Sequence, residues 1–340
     1  MRALVCHAYG PIENLKIEDI PQPVPKAGEV LVRVGAAGVS FAVMLGVQGK
    51  HQNKPPMPYV PGNELAGHVV ALGEGVTNVA VGDRVATGVS QGGFAEYAVA
   101  TAANLIPIPE QLPYAEATNF PTLYPTAYGA LRWKAAMQPG EVLLVHGAGG
   151  GSGLTAIEVG KAMGATVIAS AGGADKLKAA QEAGADHLID YRKEDIRTKV
   201  LEVTGGRGAD VIYDPVGGSA FDASLRCVAP EGRIIPMGFA SGTIPQIPAN
   251  ILLVKNVTVI GFYYGYWNGW GGKGTPSPAE AAALAKRRAM VAAAQAEMTR
   301  WFVEGKLKAT VAATFDLADW VKGFKLIEER TVVGKAVLVP

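Results

Sequence analysis

The stretch Glu141-Val-Leu-Leu-Val-His-Gly-Ala-Gly-Gly-Gly-Ser-Gly153 decides the fold. Its apolar run at 142–145 reads as a buried strand that enters a turn crowded with glycine. A helix starts near Leu154 and carries Ala156, Gly160, Ala162 and Gly164 along its faces. Strand, glycine turn and small-residue helix, in that order, form a dinucleotide-binding fingerprint. The glycines let the backbone turn tightly and approach a pyrophosphate. The helix N-terminus offers that anion unpaired N–H groups and the positive end of a dipole. The register is Ala148-x-Gly150-x-x-Gly153, with alanine where the motif usually has its first glycine.

Strand–helix alternation continues from this stretch. Candidate strands at 142–146, 166–170, 187–190, 211–214, 233–237 and 257–263 have helices between the earlier ones. That alternation predicts an α/β unit with a parallel, doubly wound sheet. A helix over 124–136 precedes it. The first third of the chain is different: it is rich in valine, glycine and proline. Short alternating runs at 15–20, 30–37, 64–72 and 94–99 are separated by turn signals such as Pro25-Lys-Ala-Gly28 and Gly82-Asp83. This pattern predicts an all-β unit, a small and partly open barrel. Beyond the last sheet strand come the loop Tyr266-Trp-Asn-Gly-Trp-Gly-Gly-Lys-Gly274, a long helix at 279–304, a strand at 310–315, a helix at 317–329 and a final strand at 335–339.

Composition narrows the function. With 340 residues, 49% of them hydrophobic, the chain can fill the cores of two ordinary domains. A net charge of +1 gives nucleic acid and anionic membranes no bulk attraction. Lys286, Arg287 and Arg288 read as a solvated helix face. Cys6 and Cys227 make neither a disulfide framework nor a metal-ligand spacing, which suits a reducing compartment. The first residues read as a strand and not as a signal peptide, and no apolar run approaches membrane-spanning length. The expectation is a soluble cytoplasmic protein.

The second strand of the sheet bears on the nucleotide. An acid at its tip normally holds the ribose diol of NAD. Here the strand ends Ile168-Ala-Ser-Ala-Gly-Gly-Ala174, with no acid, and Asp175 suits the first turn of the next helix. Lys176 follows at once. A missing carboxylate removes repulsion toward a 2′-phosphate and a lysine adds attraction, so the reading is NADP over NAD. Lys176 as an ordinary surface lysine is the alternative.

Further motifs extend over nearly the whole chain: Pro61-Gly-Asn-Glu64-Leu-Ala-Gly67, Val70-x-x-Gly73-x-Gly75-Val76, Val81-Gly-Asp-Arg-Val85, Pro139-Gly140-Glu141, Gly208-Ala-Asp-Val-Ile-Tyr-Asp-Pro-Val-Gly-Gly218 and Gly232-Arg-Ile. With the glycine turn they resemble the zinc-independent quinone oxidoreductases of the medium-chain dehydrogenase/reductase superfamily. The resemblance implies a GroES-like catalytic domain at 1–122, an NADPH-binding Rossmann domain at 123–265 and a return to the catalytic domain at 266–340. It implies NADPH in the cleft between the domains. Gly150, Gly151, Ser152 and Gly153 match the pyrophosphate turn. Lys176 and Tyr191 match positions that grip the 2′-phosphate, and Arg330 resembles a further phosphate-side arginine. Thr126, in Pro125-Thr-Ala-Tyr-Gly129, matches a threonine beside the cofactor. Val216, Gly238, Phe239 and Phe262 match the nicotinamide end, with plain core packing as the alternative for Val216 and Phe262.

Metal divides this superfamily. The catalytic zinc-ligand positions hold Ser40, Asn63 and Thr122 here, none of them a good zinc ligand. The closely spaced cysteines of a structural zinc lobe are absent from the stretch before residue 100, and the five histidines are scattered. Glu64 offers one oxygen donor, which makes no site. The expected chemistry is therefore metal-free: hydride from NADPH to a quinone or to the C=C bond of an α,β-unsaturated carbonyl.

Charge developing on the carbonyl oxygen needs donors aimed at it. Ser40, Tyr59 and Tyr124 are the hydroxyl candidates, Tyr124 first because it lies two residues before Thr126. The alternative is that Tyr124 packs in the core with its hydroxyl satisfied. The chain also departs from the usual quinone pocket, with Ser40, Leu45 and His51 replacing an asparagine and two tyrosines. The Trp267/Trp270 loop either caps the substrate or makes a surface or subunit contact. Enoyl-thioester reduction and a non-catalytic NADPH-binding role, crystallin-like or RNA-binding, remain as alternatives. A homodimer through the strand at 257–263 is expected, because an apolar sheet edge tends to be paired or covered.

Overall fold

Six strands pair in the order His187–Asp190, Thr166–Ala171, Val142–His146, Ala209–Asp214, Val228–Pro236 and Thr258–Val259. Every ladder is parallel. Strands covered by helices on both faces must be apolar along their whole length. Accordingly Leu143, Leu144 and Val145 are fully buried, as are Val211, Ile212 and Tyr213. From Val142–His146 the chain builds outward to one side, then returns to lay Ala209–Asp214 on the other. That reversal of strand order is where open α/β sheets leave a crevice for a ligand. The expected strand at 257–263 is shorter: after Ile260, whose N–H donates to the Ile234 carbonyl at 2.9 Å, the chain leaves the sheet and enters the short helix Tyr264–Trp267.

The computed structural model describes residues 1–52, 54–269 and 276–340. They fall into two units, Met1–Thr122 with Ala309–Pro340, and Leu123–Lys308. The first unit is built on the long strand Glu29–Val39. This strand pairs with Glu64–Leu72, Tyr97–Thr101 and Lys335–Val339, all antiparallel. One edge takes Glu64–Leu72, and the other is shared, with Glu29–Arg33 on Tyr97–Thr101 and Ala37–Val39 on Lys335–Val339. The C-terminal strands Val311–Asp316 and Lys335–Val339 thus complete a sheet begun by the N-terminal segment.

The return to that sheet begins at Ala309, not at 266 as the sequence reading has it. The long helix Pro278–Val303 belongs to the second unit. Its buried residues Ala294, Met298 and Trp301 fall at i, i+4 and i+7 and anchor only its C-terminal half. There the Tyr128 hydroxyl donates to Glu297 at 2.6 Å. The helix expected over 124–136 is α-helical over Leu123–Tyr128 and widens to π geometry over Gly129–Lys134. Ala135 N–H donates to the Ala130 carbonyl five residues back, at 2.9 Å. Among the described residues, no helix is long and apolar enough to cross a membrane.

Candidate cofactor and substrate site

The glycine turn occupies the end of the central strand Val142–His146. Gly147 takes the left-handed conformation, φ +59°, and its carbonyl accepts from Gly150 N–H at 3.1 Å. The left-handed demand thus falls on residue 147, and alanine is tolerated at 148, where the side chain is fully buried. Gly150 caps the helix Gly151–Ala162 with no side-chain hydrogen bond, so its first-turn N–H groups are not capped by a side chain. A Cβ on Gly150 would meet only the Gly147 carbonyl oxygen at 3.7 Å, whereas one on Gly153 would collide with that oxygen at 2.3 Å. Space above Gly150 and tight closure at Gly153 are what a pyrophosphate turn needs. Ser152 Oγ is fixed 2.8 Å from the Tyr213 hydroxyl, and burial pushes the Tyr213 phenol up to about 12. Val216 lies against the same turn, 3.2 Å from where a Gly147 Cβ would stand.

Lys176 begins beside this turn. Its stem crosses Gly149 so closely that a Cβ there would sit 2.5 Å from it. At the neighbouring strand end, Tyr191 and Arg192 lie over Gly172. A Cβ on Gly172 would meet the Tyr191 hydroxyl at 2.7 Å and Arg192 Nε at 2.8 Å. The Asp190 carboxylate is turned onto the backbone N–H groups of Arg192 and Gly173, at 3.2 and 3.4 Å. Lys176 thus borders the glycine turn, and Tyr191 and Arg192 border the end of the second strand, whose own residues include no acid. The sequence reading missed Arg192, although it directly follows Tyr191. Strand alternation does not predict that two consecutive residues fold back over one glycine pair.

A cavity of about 610 Å³ is lined by Gly238, Phe239 and Phe262 together with Tyr263, Tyr266, Trp267 and Lys134. Three residues assigned to the nicotinamide end therefore share one wall. Trp267 closes the helix Tyr264–Trp267 and stacks on Trp133, with centroids 4.6 Å apart and planes 10° from parallel. Phe262 meets Trp267 edge-on at 6.0 Å. The two rings of Phe262 and Trp133 press on Gly129, where a Cβ would lie 2.5 and 2.7 Å from them. Trp270 and the rest of the expected loop, through residue 275, lie outside the described residues. Lys134 was not anticipated, because an ordinary helical period gives no sign of the π turn that carries it.

The remaining assignments separate. Thr126 is half-buried in the helix Leu123–Tyr128. Tyr124, in the same helix, is fully buried, and its hydroxyl donates to Glu158 at 2.5 Å. That is the core arrangement the sequence left open for it: offering this hydroxyl to a substrate would require breaking a bond to a buried carboxylate. In the first unit, Ser40 caps the helix Phe41–Val47, its Oγ accepting from Val43 N–H at 3.3 Å and keeping its own proton to donate. Tyr59 is buried near Cys6, and desolvation pushes its phenol well up. Arg330 is exposed just past the helix Trp320–Glu328, in the left-handed conformation at φ +56°.

Asn63 and Thr122 flank a buried ion pair. Glu64 accepts from Lys335 Nζ at 2.8 Å and from the Thr122 hydroxyl. Lys335 also donates to the Thr118 carbonyl at 2.5 Å. The donor set at the positions of a catalytic zinc is therefore two hydroxyls and an amide, and the one carboxylate is engaged by an ammonium. Among the described residues no three His, Cys, Asp or Glu side chains converge on a metal position.

Two family patterns match the chain: an alcohol dehydrogenase GroES-like domain over residues 26–110 and a zinc-binding dehydrogenase domain over 151–272. The second name describes the wider group, whose ligands are replaced here. Over 340 residues the chain is 38% identical to a quinone oxidoreductase-like protein 2 homolog from Nematostella vectensis, covering 99% of this chain and 88% of that one. It is 34% identical to human quinone oxidoreductase, covering 77% and 79% of the two chains. The crystal structure of Escherichia coli quinone oxidoreductase complexed with NADPH superposes with a TM-score of 0.87 at 27% identity, covering all of both chains. Fold, turn, donor set and likeness agree, and the chain belongs to the quinone oxidoreductase-like family of the medium-chain dehydrogenase/reductases.

Proposed function

We propose that this chain is an NADPH-dependent, metal-free reductase of quinones or of α,β-unsaturated carbonyls. The carrying observation is that Lys176 lies against the glycine turn while Tyr191 and Arg192 lie over Gly172, at the end of a strand with no acid of its own. A 2′-phosphate satisfies that group of donors, and a bare ribose diol does not. The glycine turn fits the pyrophosphate, and Gly238, Phe239 and Phe262 supply the apolar wall that a nicotinamide ring needs. When bound, NADPH supplies a hydride, and the balance is NADPH + H⁺ + quinone giving NADP⁺ + hydroquinone. The chain's own residues bind and orient the cofactor, and Ser40, whose hydroxyl keeps its proton, is the candidate donor for the carbonyl oxygen. Arg330 is a further phosphate ligand in this reading.

NADPH binding and turnover test the reading. Lys176→Ala and Arg192→Ala should each weaken NADPH by about 1–3 kcal/mol and leave NADH nearly unchanged. Equal wild-type affinity for the two cofactors would overturn the cofactor assignment. NADPH oxidation screened against quinones, enones and enoyl-CoA thioesters decides the acceptor. Turnover confined to the thioesters would replace the quinone reading, and none at all would leave a binding protein.

A further inference from the structure

The aromatic cavity carries a charge that hydride transfer by itself does not require. Lys134 lines it, and among the described residues no carboxylate does. The π turn over Gly129–Lys134 puts Trp133 against Trp267 and Lys134 at the cavity in consecutive positions. Such widened turns recur at functional sites. A second cation stands behind the wall: the Arg287 guanidinium lies 4.6 Å from the Tyr266 ring centroid, and its Nε is buried without a hydrogen-bond partner. The carboxylate that touches this aromatic cluster, Glu297, is already engaged by the Tyr128 hydroxyl at 2.6 Å and lies 3.6 Å from Arg300. The cavity therefore combines flat ring surface with positive charge that no lining acid offsets.

We infer that this cavity takes flat aromatic carbonyl acceptors bearing an anionic substituent, and that Lys134 selects for that charge. The inference rests on the reductase reading and names its substrate class. Rings stack on the Phe262, Tyr266 and Trp267 wall, and the carboxylate or sulfonate meets the ammonium. Arg287 raises the local positive potential through the Tyr266 face.

The test compares 1,2-naphthoquinone with 1,2-naphthoquinone-4-sulfonate. The ratio of their kcat/KM values, taken in each protein, cancels the intrinsic difference in reactivity. Lys134→Glu should lower the ratio, sulfonate over neutral, by about tenfold relative to wild type, and Lys134→Arg should hold it. An unchanged ratio in Lys134→Glu overturns the assignment. Binding provides an arm independent of turnover: naphthalene-2-sulfonate should quench tryptophan fluorescence in wild type far more than 2-naphthol does, and this preference should vanish in Lys134→Glu. If wild type reduces neither quinones nor enones, the reductase reading fails, and the quenching result alone supports or overturns the anion site. Crotonyl-CoA turnover that depends on Lys134, with the quinone ratio unmoved, would assign the lysine to a coenzyme A phosphate and overturn the flat-ring substrate.

Discussion

Lys335 and Glu64 are almost completely buried, at 3% and 2% side-chain exposure, and pair at 2.8 Å. A Cβ on Gly38 would stand 2.4 Å from Lys335 Cε and 2.8 Å from Glu64 Oε1, so the backbone closes over the pair. Breaking such a pair strands a charge in the core, which costs about 3–5 kcal/mol, while replacing both partners costs far less. Urea denaturation should show Lys335→Met destabilised by about that amount and Glu64→Gln/Lys335→Met restored most of the way. A single variant as stable as wild type would mean the charges are not paired in solution. Neither partner's role was legible in the sequence. Glu64 reads as a spare oxygen donor and Lys335 as the first residue of a strand, and only the antiparallel register that brings Ala336 opposite Val39 joins them. The places of Lys176 and Tyr191 were legible, Lys176 from the strand that precedes it and Tyr191 from the family resemblance, and the structure sets them beside Gly149 and Gly172.

Elements were legible wherever periodicity was strong. The strands 64–72 and 335–339 have the bounds expected of them, and the central strand 142–146 and its helix stand where the glycines put them. The helix that ends in the π turn was legible as a helix only. A shift from four-residue to five-residue hydrogen bonding leaves no mark in composition; in the structure, Phe262 from outside the turn and Trp133 from within it crowd the backbone at Gly129. Gly129→Ala should therefore act on the element as a whole. We expect a loss of about 1–3 kcal/mol from overpacking, a red-shifted tryptophan emission as the Trp133–Trp267 stack loosens, and a raised KM for carbonyl acceptors. A variant with native emission and native KM would show that the turn tolerates a methyl group and does not govern the cavity.

At the scale of the whole molecule, His146 makes one contribution to acid sensitivity. The ring is 1% exposed, and its Nε2 lies 2.8 Å from Ser224 Oγ. Ser224 gives its own proton to the Ala220 carbonyl at 2.9 Å, so Nε2 carries the ring proton and donates to it. Burial holds the imidazole pKa below its ordinary value, although Asp214 opposes this. The folded state keeps the ring neutral, whereas the unfolded chain takes a proton near pH 6.5. This contribution is therefore present above about pH 6.5 and falls by up to about 1.4 kcal/mol per unit as the pH drops. Unfolding free energies between about pH 7 and pH 5 should fall less steeply in His146→Gln; identical slopes would place the titration elsewhere. Assembly is the other whole-molecule property. Beside the edge strand Thr258–Val259, Leu253 and Val254 are 78% and 80% exposed, and an open edge flanked by apolar side chains calls for a cover. A homodimer through this edge is the expected state. Sedimentation should find dimers in the wild type and monomers in Leu253→Lys/Val254→Glu; a wild-type monomer at micromolar concentration would remove this expectation.

The split composition of the first unit sets an order of assembly on the ribosome. By the time Lys308 has been synthesised, every strand of the parallel sheet exists, and that unit can close while translation continues. The other unit has to wait. Until the last segment emerges, Glu29–Val39 shows a bare edge where Lys335–Val339 will pair, and Glu64 has no cation beside it. Residues late in the chain thus seal a strand laid down near its start. A nascent chain that stalls or is clipped short of them carries a finished nucleotide-binding half joined to an unfinished, adhesive one, and that intermediate is the one chaperones and proteases would meet.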